Sequence, residues 1–366
     1  MPLKIALLPG DGIGPEVTDE AVRVLKDAGE HAGRPFSFST HPIGGAAIDA
    51  DGVGLPEQTL EACLGAKAVL LGAVGHPKFD GRLPAERPEA ALLALRQALG
   101  GFANLRPAVC YAPLARRTAF QPERVKGANL LIVRELLGGL YYGEPRGFEA
   151  SGNTAFNTLI YSRHEIERVA RVAFTRARER RKKLASIDKA NVLETSRLWR
   201  AVVSDVAKEF PDIDVEHVYV DTAAMRLATS PASFDVMLCD NLFGDILSDQ
   251  AASVAGSLGL LPSATLGGRV DLYEPVHGSA PDIAGKGLAN PIGAIASAAM
   301  LLRFTAGMEK EAAEIEHAIE DALAGGARTR DLAAAGERAL STREMGQAVL
   351  DSLHDIRDRK HSYHAV

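Results

Sequence analysis

The sequence predicts an α/β protein, of two domains or one large one, whose first strand-to-helix turn is not a Rossmann loop. Short Val/Ile/Leu-rich runs alternate with longer amphipathic stretches, the pattern of sheet and helix layers. The chain has 366 residues, more than one hydrophobic core usually serves. The glycine-rich turn after the first apolar run departs from the Rossmann fingerprint at a position that fingerprint needs.

The first element is LKIALL, an apolar run at 3–8 that predicts a buried strand. PGDGIGPEV follows, with Gly10 and Gly12 at the first two places of G-x-G-x-x-G. The third place falls on Pro15, which cannot give the close helix–strand packing of a glycine. The next strand, in PFSFSTHPIGG, also lacks the acidic residue that would hold a ribose hydroxyl. The stretch therefore predicts a tight strand-to-helix turn with Pro15 at the first helical position.

Further strands are expected at 36–40, 68–72, 129–134, 184–188, 215–220 and 234–239. Helices are expected near 15–28, 88–99, 165–182, 193–209, 242–257, 291–305, 309–324 and 344–357. Beyond about residue 288 the pattern is almost all helical. Gly138-Gly139 in LLGGLYYG is a hairpin turn signal, and EPRGFEASGNTAF after it predicts an extended arm or loop. No repeat and no low-complexity segment is evident.

Bulk properties exclude several classes. A formal net charge of −6 implies no general affinity for nucleic acid or anionic membrane. The basic run ARERRKK, 177–183, ends a predicted helix and carries no interleaved aromatics, so a solvated helix end is favoured over a nucleic-acid site. MPLKIALLPGDG lacks the basic start and cleavage site of a signal peptide. The longest apolar stretch, 291–302, is too short to span a bilayer. Cys63, Cys110 and Cys239 are few, odd in number and far apart, as in a reducing compartment; a cytoplasmic protein is expected.

HGSAPDIAGKG, 277–287, resembles a P-loop, but its glycines are too far apart and Gly287 stands where a hydroxyl belongs. What remains is a glycine- and proline-rich loop carrying His277 and Asp282, of a type that often binds a ligand. Arg96, Arg106 and Arg134 present forks that match carboxylates, and point to a polyanionic small substrate if they converge. CDNLFGDILSD sets Asp245 and Asp249 four residues apart on one helix face, where they repel unless a cation or an arginine lies between them. With Asp240 and Asp221 upstream, this fits either an oxygen-lined Mg²⁺ or Mn²⁺ site or a solvated acidic face. The apolar neighbours Phe243, Ile246 and Leu247 predict that the helix is partly buried. Lys189, after a strand and before a helix start, fits a general base or a structural lysine; Tyr141 fits a proton donor or a core aromatic.

In this order the motifs RPEAALLALR, FANLRP, IVRELLGGLYYGEPRG, SIDKANVLE, NLFGDILSD and EPVHGSAPDIAGKGLANP resemble one family, the metal-dependent β-decarboxylating dehydrogenases. The resemblance runs through nearly the whole chain. It implies the isocitrate/isopropylmalate dehydrogenase-like two-domain fold. The cofactor-binding domain is then discontinuous, 1–101 plus 259–366, and the dimerisation and metal/substrate domain is 102–258, with a hairpin arm near 136–160. The implied reaction is NAD-dependent oxidation of the C2 hydroxyl of 3-isopropylmalate with loss of the C3 carboxylate, giving 4-methyl-2-oxopentanoate and CO₂.

The resemblance also implies roles. Arg96, Arg106 and Arg134 clamp the malate carboxylates, and Asp221, Asp245 and Asp249 hold Mg²⁺ or Mn²⁺. Lys189 takes the hydroxyl proton, and Tyr141 protonates the enol carbon. Lys189 and Asp221 reach into a partner's site, so a homodimer with shared active sites is expected. Glu89, Leu92 and Leu93 line the isopropyl pocket, joined by Val192 from the partner. A leucine pair cannot pair with the third carboxylate of isocitrate, and burying that carboxylate unpaired costs several kcal/mol. D-malate and tartrate stay open as alternatives, since a smaller substrate can enter an apolar pocket loosely. Glu274, His277, Gly278, Ser279, Ala280, Pro281, Asp282, Ile283 and Asn290 are implied in binding the adenosine half of NAD, with Asp282 accepting from a ribose hydroxyl. Three positions depart from the pattern: His76, Leu137 and Thr222 replace a frequent glycine, threonine and asparagine.

Overall fold

The computed structural model describes residues 2–364. Among them the strands are, in chain order, β1 Leu3–Gly10, β2 Phe36–Thr40, β3 Ala68–Ala73, β4 Ala103–Val109, β5 Asn129–Glu135, β6 Gly147–Phe148, β7 Ala155–Phe156, β8 Lys183–Asp188, β9 Asp214–Tyr219, β10 Val236–Cys239, β11 Pro262–Leu266 and β12 Asp271–Pro275. The α-helices are α1 Gly14–His31, α2 Gly45–Asp51, α3 Glu57–Gly65, α4 Pro88–Leu99, α5 Pro122–Val125, α6 Arg163–Arg178, α7 Glu194–Ala207, α8 Val220–Thr229, α9 Asn241–Ala255, α10 Ile292–Phe304, α11 Glu309–Ala324 and α12 Thr342–His364. Two compact units result: Met1–Gly101 with Tyr111–Arg117 and Ala255–Val366, and Phe102–Cys110 with Thr118–Val254.

In the first unit the strand order is β2-β1-β3-β12-β11, parallel except for the β11–β12 pair. Ala6, Leu8, Val69 and Leu71 pack with Cys63 of α3 and with Ala91, Leu95 and Leu99 of α4. Ile5, Leu7 and Leu70 alternate with them and so face the other way. α1 and α10 pack against the strands, with α11 and α12 beyond them. The apolar stretch at 291–302 is α10, whose residues Ile292 to Leu302 are all buried; it is a core helix. α1 starts as expected, with proline in its first turn.

The glycine turn has a packing reason. Asp11 is buried and accepts from the amides of Gly45 (2.8 Å), Ala46 (2.7 Å) and Gly75 (2.8 Å). Gly12 has φ +59°, and a Cβ there would lie 1.9 Å from the Ser279 carbonyl oxygen. Ile13 donates to that same oxygen at 2.8 Å. The turn therefore lies directly against the 277–287 loop. His76 is a local cap: its Nδ1 accepts from the Lys78 amide at 3.1 Å, and its ring meets Phe79 edge-on.

In the second unit the order is β4-β5-β10-β8-β9, parallel except for β4–β5. α6 and α7 pack on these strands, and α6 opens with a Ser162–Glu165 capping box. Residues of the basic run at its end are held in ion pairs: Arg178 with Asp212 (2.5 Å) and Arg180 with Asp235 (2.8 Å). Gly138-Gly139 does not close a hairpin. Tyr161 and Glu135 pack against these glycines, and Gly139–Tyr141 forms a 3₁₀ turn. The antiparallel ladder lies farther on, between β6 and β7. Cys63, Cys110 and Cys239 are all buried thiols, and burial pushes Cys63 up to about 12.

Candidate functional site

In the second unit, a group of polar residues converges on Asp245. Strand register begins it. In the antiparallel β4–β5 pair Asn104 lies opposite Arg134, and Arg106 lies two residues along on the same face. Both arginines are almost fully buried. Arg106 donates to Asn104 Oδ1 (2.7 Å) and Ser248 Oγ (2.6 Å), and reaches Asp245 Oδ1 (3.4 Å). Arg134 donates to the same Asp245 oxygen at 2.5 Å. The other oxygen, Oδ2, accepts from the Tyr141 hydroxyl at 2.6 Å. Burial, reinforced by Asp245, pushes the Tyr141 phenol up to about 12.

α9 supplies the acids. Asp249, one turn beyond Asp245, lies 3.9 Å from Arg106, and its side chain is 63% exposed. Asp240 does not join them: it is buried just before α9 and accepts from the Phe243 amide at 2.7 Å, as a helix cap does. The helix is partly buried as expected: Leu247 is fully buried and Phe243 half-buried, while Ile246 lies off that face and is exposed.

Lys189 and Asp221 form a separate pair in the same unit. Lys189 follows β8, Asp221 lies in the first turn of α8, and Nζ meets Oδ1 at 2.5 Å. This hydrogen bond holds the Asp221 carboxyl below its usual range. Among the described residues no three His, Cys, Asp or Glu side chains cluster as metal ligands. The donor set still fits Mg²⁺ or Mn²⁺: these ions are held through one or two carboxylates plus substrate oxygens, and Asp245 and Asp249 offer two on one face. Val192 is exposed and follows Lys189 on the same loop.

In the first unit α4 carries Glu89, Leu92, Leu93 and Arg96. Leu92 packs against the core cluster, and Leu93 is half-buried. Arg96 donates to Glu274 Oε1 at 2.6 Å, with both side chains largely buried. The 277–290 loop borders a cavity of about 490 Å³ lined by His277, Gly278, Ala280, Ile283 and Asn290, with Ile13 from the glycine turn. Ser279, Pro281 and Asp282 do not line it; Asp282 is exposed. His277 Nδ1 contacts the Gly278 carbonyl at 2.9 Å, while its buried Nε2 has no hydrogen-bond partner. Burial lowers the ring's proton affinity, so it is neutral at pH 7. A neutral ring with an unpartnered nitrogen, beside Gly278 where a Cβ would meet nothing within 4 Å, fits a planar heterocycle such as the adenine of NAD.

Residues 4–349 match the isocitrate/isopropylmalate dehydrogenase family. The chain belongs to that family. It is 55% identical over 354 residues to the 3-isopropylmalate dehydrogenase of Moorella thermoacetica, covering 96% of this chain and 99% of that protein. It is 54% identical over 355 residues to the 3-isopropylmalate dehydrogenase of Geobacillus kaustophilus, covering 96% of each. Among solved structures, isocitrate dehydrogenase from Methylococcus capsulatus aligns with a TM-score of 0.86 at 37% identity, covering 96% of this chain and 99% of that one. The α/β fold is therefore that of the isocitrate/isopropylmalate dehydrogenases and not a Rossmann fold.

Several residues inside this family's motifs are given no role by the sequence alone. Asn104 and Ser248 hold Arg106. Buried Glu135 accepts from the amides of Leu137 (3.1 Å) and Gly138 (2.8 Å), which shapes the turn bearing Tyr141. Asn241 touches both Arg134 and this turn. The nearest hint is position: each lies within a few residues of a motif arginine or aspartate.

Proposed function

We propose that the chain catalyses the NAD-dependent oxidative decarboxylation of (2R,3S)-3-isopropylmalate to 4-methyl-2-oxopentanoate and CO₂ in leucine biosynthesis, as a cytoplasmic homodimer. The observation that carries the reading is the sharing of one carboxylate, Asp245, by Arg106, Arg134 and Tyr141 in a chain of this family.

Arg96, Arg106 and Arg134 bind the malate carboxylates as charged forks. Leu92, Leu93 and Glu89 line the pocket for the isopropyl group, with Val192 supplied by the partner subunit. Lys189 accepts the C2 hydroxyl proton, and Tyr141 returns a proton to C3 after CO₂ has left, so the two transfers balance. His277, Gly278, Ala280, Ile283 and Asn290 line the cavity that would hold the adenosine half of NAD⁺, which would supply the acceptor for the C2 hydride. Asp245 and Asp249, with Asp221 of a second copy, would hold a divalent metal, which would supply polarisation of the C2 oxygen.

Two features support shared sites. Asp221 is engaged with Lys189 rather than with Asp245 and Asp249. The second unit also exposes large apolar side chains, Phe148, Met225 and Ile246, of the kind that subunit interfaces cover. The first unit is then the cofactor-binding domain, and the second carries the dimer, metal and substrate functions, with the β6–β7 arm. No helix among the described residues is long and apolar enough to cross a membrane.

The test is NADH formation on 3-isopropylmalate, D-malate and isocitrate with Mg²⁺ or Mn²⁺, before and after chelation. The expected result is the highest kcat/KM on 3-isopropylmalate and loss of turnover on chelation. Equal or better kcat/KM on D-malate removes the substrate assignment.

A further inference from the structure

Asn241 opens α9 and is 1% exposed. Its side-chain amide is saturated. Oδ1 accepts from Arg134 Nε (3.1 Å) and from a second nitrogen of the same guanidinium (2.7 Å). Nδ2 donates to the carbonyls of Leu136 and Gly138, each at 3.0 Å. Further along the first turn, Gly244 lies so close that a Cβ would be 2.7 Å from Arg134 Cγ. The start of α9 therefore grips Arg134 along its stem and along one guanidinium edge. The same amide fixes the backbone that leads into the Gly139–Tyr141 turn.

Charge explains why an amide occupies this place. Arg134 already meets one carboxylate, Asp245. A second carboxylate at position 241 would offset its positive charge, and its second oxygen would face two carbonyl oxygens with no proton to give. An amide orients the guanidinium and donates to the turn while adding no charge. Resting on the activity proposed above, we infer that Asn241 is a positioning residue for substrate binding: it sets Arg134 and the Tyr141 turn together and leaves the arginine charge available to a carboxylate.

The experiment compares Asn241→Asp and Asn241→Ser with the wild-type homomeric protein, by steady-state kinetics, with thermal melting to establish folding. Asn241→Asp raises KM for 3-isopropylmalate by about tenfold or more, as loss of a charge-assisted contact does, while KM for NAD⁺ stays within about twofold. Asn241→Ser, which adds no charge, raises that KM less and lowers kcat. An unchanged 3-isopropylmalate KM in Asn241→Asp overturns the inference, as does a parallel rise in both KM values, the mark of general loosening. If Asn241→Asp does not fold, wild-type kcat and KM in Asn241→Ser overturn it instead. A wild-type protein inactive on 3-isopropylmalate removes the substrate assignment, and the variants are then compared on whichever malate it oxidises.

Discussion

Tyr141 donates its phenolic hydrogen to Asp245 Oδ2 across 2.6 Å. The opposite oxygen of that carboxylate takes Arg134 at 2.5 Å and Arg106 at 3.4 Å. One aspartate thereby joins the proposed acid to the proposed substrate clamp, and its removal would disturb both.

Tyr141→Phe is expected to lower kcat by about 10²–10⁴-fold, the usual contribution of a positioned acid, with a smaller change in KM for 3-isopropylmalate. Burial and Asp245 hold the phenol protonated, pushed up to about 12, so the loss is expected throughout the neutral range. Steady-state kinetics checks this, and a wild-type kcat removes Tyr141 from proton transfer.

Lys189→Ala is expected to lower turnover by a comparable factor, about 10²–10⁴, while NAD⁺ binding measured by calorimetry stays near wild type. The reason is that Lys189 contacts Asp221 in the second unit, whereas the heterocycle cavity is built from first-unit residues. Loss of NAD⁺ affinity in parallel with turnover would reassign Lys189 to structure.

Leu93→Ala is expected to cut kcat/KM on 3-isopropylmalate by about tenfold or more, since each methylene lost from an apolar pocket is worth about 1–3 kcal/mol. D-malate, which has no isopropyl group, should lose much less. A uniform fall on both substrates would place Leu93 in core packing rather than in specificity.

Asp27→Asn probes stability in the first unit. Asp27 of α1 meets His354 at 2.6 Å and Arg357 at 2.5 Å, both on α12, and Arg357 also reaches Glu314 of α11 at 3.3 Å. Burial opposes ionisation of Asp27, but the hydrogen bonds from His354 and Arg357 together outweigh it and lower its proton affinity. A folded value below the ordinary 3.8 means this stability is present above that pH and is lost as pH falls through the lowered value. Asp27→Asn is therefore expected to cost about 1–3 kcal/mol at pH 7, a melting loss of several degrees. The gap to wild type should shrink on acidification below about pH 3.8. A gap independent of pH would show that packing, and not charge, holds these helices.

Much of the fold was legible locally. LKIALL followed by Pro15 marks β1 and the start of α1, because apolar runs and proline act on their immediate neighbours. The helical period located α4, α6, α7 and α9 to within a few residues. β4, β11 and β12 carry only a weak local strand signal. Each carries a proline, and ANLRPAV, PSATL and DLYEP also hold charged or small polar residues that weaken a strand signal. Neighbouring strands, not local preference, made them extended. The hairpin signal at Gly138-Gly139 failed for a related reason: buried Glu135 and Tyr161 bend that backbone from outside it.

The sequence by itself determined the residue types, the family motifs and the one-face spacing of Asp245 and Asp249, because helical geometry turns a four-residue interval into a shared face. Only the tertiary structure decided that Tyr141, Arg134 and Arg106 meet the same aspartate, and that Lys189 takes Asp221. These partners lie tens to over a hundred residues apart along the chain, beyond the reach of any local preference. Strand register sets their meeting: pairing Asn104 with Arg134 puts both arginines on one face, and the start of α9 brings the carboxylate to them.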